Sequence, residues 1–163
     1  MNELYTPLIA YFVLLAGNGV PVIRANQNAP APNAPYITLN VQSQVRTGSF
    51  RTDIASNGTQ TLQRTYAFAL DVNLYGKEGG QVELETLVQR VLDGLEDDTQ
   101  RMLTLSDIAL QEVVQPPTDV SALFSEHWQP RYNFALRLHT SRQVVYTGST
   151  IDTVNVDHTL EAP

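Results

Sequence analysis

Four stretches of this chain show the two-residue alternation of apolar and polar side chains that is typical of a half-buried strand. They cover residues 36–45, residues 60–75, the neighbourhood of Ile108 and Leu110, and a run from about Trp128 to Arg142. Their apolar positions are Ile37, Leu39, Val41, Val45, Leu62, Tyr66, Phe68, Leu70, Val72, Leu74, Ile108, Leu110, Tyr132, Phe134, Leu136 and Leu138. Pro116-Pro117 predicts the end of the third strand, because proline lacks the N–H that a ladder needs. A shorter strand, or the approach to one, is expected within residues 20–25.

Two segments show helical spacing instead. Near the N-terminus, the apolar residues Leu4, Leu8, Tyr11, Phe12 and Leu15 fall on one helical face. Proline is tolerated in the first turns of a helix, and the glycines at 17 and 19 predict its C-cap. The second helix opens at Gln81, carries an apolar stripe from Leu84 to Leu95, and is expected to stop near Gly94 or Leu95.

This order of elements predicts an α+β fold, in which two helices pack on a mostly antiparallel sheet of four to five strands. The strands at 36–45 and 60–75 are predicted to form an antiparallel hairpin. Its tip is the polar segment 46–60, which is expected to be an extended loop that contacts a partner or lines a passage. Arg46, Phe50 and Arg51 are the candidate interface residues of this segment.

The chain after Arg142 is polar and rich in β-branched residues. We divide the protein into a domain at 1–142 and a C-terminal β-arm at 143–163. This C-terminal segment either folds back as a fifth strand or pairs with a neighbouring subunit, and the sequence leaves both alternatives open. Val145, Tyr146 and Val154 are its candidate interface residues.

The segment 28–35 contains three prolines and cannot be a helix or a central strand. A polyproline II crossing of the surface is favoured over a ligand for a proline-recognising domain, because no basic residue closely flanks the prolines.

Composition limits the function. The chain has 163 residues, which fits one domain, and it has no cysteine, which excludes disulfides and thiolate chemistry. Its formal charge of −7 argues against a nucleic-acid binder. The apolar run at 8–16 is about half of the roughly 20 residues that span a bilayer, so no membrane segment is expected.

No residue pattern predicts catalysis, a metal site or a cofactor. Ser125-Glu126-His127 is consecutive and therefore is not a spatial triad. Asp97-Asp98 is interpreted as a solvated helix end instead of a Ca²⁺ site or an acid–base pair. Trp128 either anchors an interface or packs at the start of the fourth strand.

Several of these features together resemble the neck or tail-terminator proteins of long-tailed phages. They are the N-terminal apolar helix, the run Val22-Ile23-Arg24-Ala25-Asn26-Gln27-Asn28 that leads to Pro30, Pro32 and Pro35-Tyr36, the second helix, and Glu126-His127-Trp128-Gln129-Pro130-Arg131 before an alternating strand. The resemblance covers most of residues 4–138 and adds Arg131 to the candidate interface residues.

The resemblance implies a non-enzymatic structural protein of the virion, assembled in the cytoplasm of a bacterial host. Its subunits would form a ring, commonly a hexamer, that caps the tail tube and joins it to the neck. The implied partners are other copies of the chain, the tail tube or sheath protein and a neck or connector protein, and DNA would pass through the lumen without specific binding. The alternatives are another head–tail connector, a non-viral oligomeric binding module and a small hydrolase or transferase.

Overall fold

Seven strands and two helices follow one another in a computed structural model that describes residues 2–17, 19–55, 59–96, 107–124 and 127–147. In chain order they are α1 (Asn2–Ala16), β1 (Val22–Arg24), β2 (Tyr36–Ile54), β3 (Thr59–Tyr75), α2 (Gln81–Glu96), β4 (Ile108–Asp119), β5 (Ala122–Phe124), β6 (His127–Gln129) and β7 (Arg131–Thr147). The predicted α+β class, with two helices and a mostly antiparallel sheet, is confirmed.

The main sheet has five strands in the order β1-β2-β3-β7-β4. The pairs β2–β3, β3–β7 and β4–β7 are antiparallel, whereas β1 pairs with β2 in parallel. The central strand β3 is paired with β7 along its whole length, from Thr59↔Thr147 to Tyr75↔Arg131. The short strands β5 and β6 form a separate two-stranded sheet.

One face of the main sheet carries the core, because the alternating apolar residues of the central strands all point to that face. Leu39, Val72 and Phe134 lie opposite one another across β2, β3 and β7 and are fully buried. The helices supply the other half of the same cluster, including Leu8 and Phe12 of α1 and Leu84, Leu87 and Val91 of α2. The predicted apolar stripes of both helices therefore face the sheet.

The two helices pack closely against each other at Gly94. A Cβ atom at this position would lie 2.5 Å from Cδ2 of Leu15, so a side chain there would force the Leu15 side chain to move. Two polar contacts join the same helices: the Tyr11 hydroxyl donates to the carbonyl of Gly94 at 3.4 Å, and Arg90 Nη1 donates to the carbonyl of Ala16 at 3.0 Å. Together these contacts fix α1 beside α2 over the sheet.

The predicted end of α1 agrees with the structure, whereas α2 runs to Glu96, one residue beyond its predicted end. Pro7 lies inside α1, and Gly17 follows its last residue with a φ of 83°, which glycine adopts without strain. The Gly17 amide donates to the carbonyl of Val13 at 3.1 Å. Neither helix among the described residues is long and apolar enough to cross a membrane.

The prediction of a long loop at 46–60 is wrong. Residues up to Ile54 continue β2, those from Thr59 onward belong to β3, and the register runs on to Ile54↔Gln60. The two strands remain paired because the backbone ladder does not require an apolar face. A register shift between Thr47 and Arg51 marks an irregularity in β2.

Two predicted strand ends also need correction. β4 continues through Pro116-Pro117 to Asp119, since it is an edge strand, where a missing N–H does not break an inner ladder. β7 continues past Arg142 to Thr147 and pairs there with residues 59–63 of β3 in the same chain. The rest of the predicted C-terminal arm, 148–163, lies outside the described residues.

The strands are much longer than the helices that cover them. α2 has 16 residues and spans about 24 Å, whereas the 17 residues of β3 span about 56 Å. In β3, full burial occurs only from Phe68 to Leu74. We call the extension beyond this covered part the arm; it consists of residues 46–54 of β2, 59–66 of β3 and 141–147 of β7.

The change Leu87→Asp tests the core assignment of α2. Leu87 is only 5% exposed, so the new carboxylate would be buried without a partner. We expect a loss of roughly 3–5 kcal/mol in the free energy of unfolding, measured by urea denaturation. The matched control is Val82→Asp in the first turn of the same helix, where the side chain is 75% exposed and should tolerate the change. Equal stability of the two variants would contradict the assignment.

Candidate assembly surfaces

The β5–β6 hairpin carries an apolar pair that the core does not use. Leu123 and Trp128 lie directly opposite each other in its register, and their exposed fractions are 65% and 51%. We call these two side chains the Leu–Trp patch. Cross-strand neighbours of this kind lie side by side on one face, so the patch presents a continuous apolar surface to solvent.

Short contacts at the end of the main sheet hold this hairpin in place. The Gly76 amide donates to the carbonyl of Pro130 at 2.9 Å, and the Val120 amide donates to the carbonyl of Arg131 at 2.9 Å. Pro130 itself is buried. The Leu–Trp patch therefore lies at the end of the sheet where β3 finishes, opposite to the arm.

A surface depression of about 350 Å³ adjoins Trp128. It is lined by Ala34, Gly76, Lys77, Glu78, His127 and Gln129. His127 Nδ1 and Glu78 Oε2 are 3.1 Å apart across it, but both side chains are largely exposed. An exposed pair of this kind contributes little to stability.

Arg131 holds together a polar cluster on the face of the sheet opposite to the helices. Its Nη2 donates to Oδ1 of Asn73 at 2.6 Å, and its guanidinium lies 4.9 Å from the ring centre of Tyr75. Asn133 Nδ2 donates to the same Asn73 oxygen at 3.0 Å and to Asp71 Oδ1 at 2.6 Å. Arg131 was predicted as an interface residue; in this structure its guanidinium is half-buried and engaged with its own chain.

Three titratable groups near this end of the sheet have shifted pKa values. Hydrogen bonds from Ser121 lower the pKa of the Asp119 carboxyl. Burial raises the pKa of the Tyr36 hydroxyl, and the neighbouring Tyr75 raises it further. Burial is also the main cause of the raised pKa of the Tyr132 hydroxyl, and the negative charge of Glu85 is the second cause. All three shifts move titration away from neutral pH, so none of these groups is tuned for acid–base catalysis.

The described residues also contain no group of three or more histidine, aspartate, glutamate or cysteine side chains that could hold a metal ion.

The arm carries most of the other predicted interface residues. Arg46 and Arg51 are exposed on β2, and Arg51 Nε lies 3.2 Å from Asp53 Oδ1. Val145 is 60% exposed on β7, opposite Thr61. The side chains of Phe50 and Tyr146, whose backbones belong to β2 and β7, and the whole of Val154 lie outside what the structure describes.

The sequence analysis did not predict one residue of the Leu–Trp patch, Leu123, or two residues of the arm, Arg64 and Arg142. Leu123 belongs to a strand of only three residues, which is too short to show an alternation. Arg64 and Arg142 are cross-strand neighbours in the arm. Arg64 could have been noticed, because it occupies an even position between Leu62 and Tyr66 in the apolar series of β3.

A sequence profile of phage neck terminator proteins matches residues 2–162. Because the match covers nearly the whole chain, the protein belongs to the phage neck terminator family. Membership of this family indicates a structural role in the tail–neck region of a phage virion, together with other tail and neck proteins.

No curated protein matches the chain. Among the solved structures that match, one is similar at 17% sequence identity and a TM-score of 0.45, over 85% of this chain and 91% of the other. At that similarity it carries no argument about fold or function.

The change Asn73→Ala tests the structural role of the Arg131 cluster. It would remove the oxygen that accepts hydrogen bonds from both Arg131 and Asn133, so we expect a loss of roughly 1–3 kcal/mol in stability by urea denaturation. Gln115→Ala is the matched control, because Gln115 makes an exposed hydrogen bond to the same Asn133 and its loss should cost less than about 0.5 kcal/mol. If Asn73→Ala leaves stability unchanged, Arg131 is available to a partner and its assignment to the fold is wrong.

Proposed function

We propose that this protein is the terminator subunit of the phage neck, which assembles into a ring, commonly a hexamer, that caps the tail tube and joins it to the neck connector. The observation that carries this proposal is the family match over residues 2–162. The structure supports it through two surfaces that a solitary domain would not need: the arm and the Leu–Trp patch.

The arm supports ring formation. Three paired strands continue beyond the helices, and in β3 no residue from Thr59 to Ala67 is fully buried. A paired extension of this length adds little to its own core, yet it places Arg51 and Val145 well beyond the buried part of β3, which starts at Phe68. In a ring, each subunit can extend such an element to the next through a head-to-tail contact that closes by rotation.

The Leu–Trp patch supports a contact with a different protein. It lies at the opposite end of β3 from the arm tip, so the two surfaces can serve different neighbours. Exposed tryptophan is enriched among the residues that dominate binding energy at interfaces. We assign this patch to contact with the tail tube or the neck connector.

Charge bears on DNA passage. The formal charge of −7 per subunit gives a ring of such subunits an acidic character overall. An acidic wall repels phosphates and lets DNA move through without specific binding.

The C-terminal segment 148–163, with Val154, is proposed to pair outside its own core, because its β-prone sequence would otherwise form an exposed edge.

Replacement of residues 48–64 by Asn-Gly tests the role of the arm. Thr47 and Thr65 are direct partners, so a two-residue turn can join them without a change of register. We expect a folded protein, because the fully buried part of β3 starts at Phe68, but ring assembly measured by size exclusion with light scattering should be lost. An unfolded variant would show that the arm belongs to the core, and intact rings would show that the arm is not an assembly element.

The double change Leu123→Ser/Trp128→Ser tests the patch separately. Both side chains are more than half exposed, so we expect less than about 1 kcal/mol of lost stability and an unchanged ring. Attachment of the protein to isolated tails, followed by co-sedimentation, should fall. Val114→Ser, a half-exposed valine on the edge strand β4, is the matched control and should attach normally. Normal attachment of the double variant would assign the tail contact to another surface.

A further inference from the structure

The arm presents a cluster of three arginines on its helix-side face, the face that carries the core farther along the strands. Arg64 of β3 lies directly opposite Arg142 of β7, and Arg46 of β2 lies opposite the next helix-side residue of β3, Tyr66. We call Arg46, Arg64 and Arg142 the arginine cluster. Like charges directly opposite each other on a sheet destabilise it.

The chain itself only partly compensates for the facing pair Arg64 and Arg142. The Glu3 carboxylate of α1 approaches Arg142 no closer than 3.9 Å and is itself largely exposed. Arg64 Nε is buried and has no hydrogen-bond partner among the described residues. A buried donor without an acceptor adds to the free-energy cost of holding Arg64 opposite Arg142. The arginine cluster is therefore a surface that an acidic neighbour would stabilise.

The residues around the cluster are of the kind found in protein interfaces. Leu62 and Tyr66 lie on the same face of β3, and the Arg142 guanidinium lies 5.8 Å from the ring centre of Tyr66. Ile54, opposite Gln60 on the same face, is largely exposed. Arginine combined with aromatic and aliphatic side chains is the composition of interface centres.

The outer face of α2 has the complementary charge. Glu83, Glu85 and Asp93 are all exposed there. The basic residue within this helix, Arg90, donates to the carbonyl of Ala16 at the end of α1. Val82, also exposed, adds an apolar side chain to the same surface.

We propose that the arginine cluster of one subunit docks on the acidic outer face of α2 of the next subunit, and that this contact sets the direction of the ring. The inference rests on the proposed ring function and names the contact that builds it. Subunits that each carry a charge of −7 repel one another, so a stable ring requires an interface that joins regions of opposite sign. The arm and α2 are two such regions.

DNA is the other polyanion that arginines could meet. The neighbouring subunit is favoured because Leu62, Tyr66 and Ile54 share the face with the arginines, whereas contacts to phosphate do not require apolar neighbours.

Two charge-reversed variants test the proposal. The arm variant is Arg46→Glu/Arg142→Glu, and the helix variant is Glu83→Lys/Asp93→Lys; Glu85 is left unchanged because it accepts a hydrogen bond from Tyr132. Arg142→Glu would place a carboxylate directly opposite Arg64, which offsets the loss of the Arg142 contacts with Glu3 and Tyr66, so the arm variant should melt close to the wild type. Arg137→Glu, which reverses an arginine paired with Glu112 on the same sheet, is the matched control.

We expect each variant alone to weaken the ring by about tenfold or more in dissociation constant, measured by light scattering at 0.1 M salt. An equimolar mixture should restore rings, because the acidic arm of one variant can meet the basic helix of the other in alternation. The control should assemble normally. The milder pair Arg46→Gln/Arg142→Gln keeps the test decisive if the reversed arm fails to fold, and it should weaken the ring in the same direction.

The outcomes separate the inference from the proposed function. Wild-type rings together with undiminished rings from both variants would overturn the arm–α2 contact and leave the ring function standing. Normal rings whose retention of DNA falls in the arm variant would assign the cluster to phosphate and overturn the inference. A wild-type chain that forms no ring, alone or on isolated tails, would overturn both.

Discussion

The structure depends on a mismatch between the length of its helices and the length of its strands. A helix rises about 1.5 Å per residue and a strand about 3.3 Å, so helices and strands of equal residue number cannot cover each other. α1 and α2 have 15 and 16 residues, whereas β2, β3 and β7 have 19, 17 and 17. The core therefore ends near Phe68, and what lies beyond it is a sheet held by backbone pairing.

This arrangement makes the arm a continuation of the core and not an appendage to it. β3 and β7 each pass through both regions without interruption, and their register stays constant over all 17 residues of β3. The apolar pairs in the core, such as Val72 with Phe134, set that register, because a slip of one residue would turn them to the solvent. The same register then decides that Arg64 faces Arg142. Side chains that do not pack in the core are thus positioned by those that do.

Sequence patterns predicted the parts of the fold where one face is buried, because burial produces the alternation and the helical stripe. Residues 46–54 of β2 were misread because neither of their faces is buried, and a strand without a buried face has no periodic signal. The prediction that the strand ends at Pro116-Pro117 was also wrong. Proline interrupts an inner strand because it lacks an N–H donor, but it is tolerated in an edge strand such as β4. Trp128 stood out as the one tryptophan, but its partner Leu123 lies in a strand of three residues. The cross-strand position of Arg142 follows from the register, which composition does not reveal.

The polar character of the arm has a physical consequence for a protein that must assemble at a particular place. An apolar extension with open strand edges would associate with any exposed edge, whereas arginines on the extension require a partner of opposite charge and matching shape. Under the proposed contact, the partly compensated charge of Arg64 and Arg142 weakens the isolated subunit and strengthens its association with an acidic surface. Under the proposed function, this combination of a less stable isolated subunit and a stronger contact favours subunits that remain separate until they meet the correct neighbour. The Leu–Trp patch, at the other end of β3, then remains free to engage a different protein.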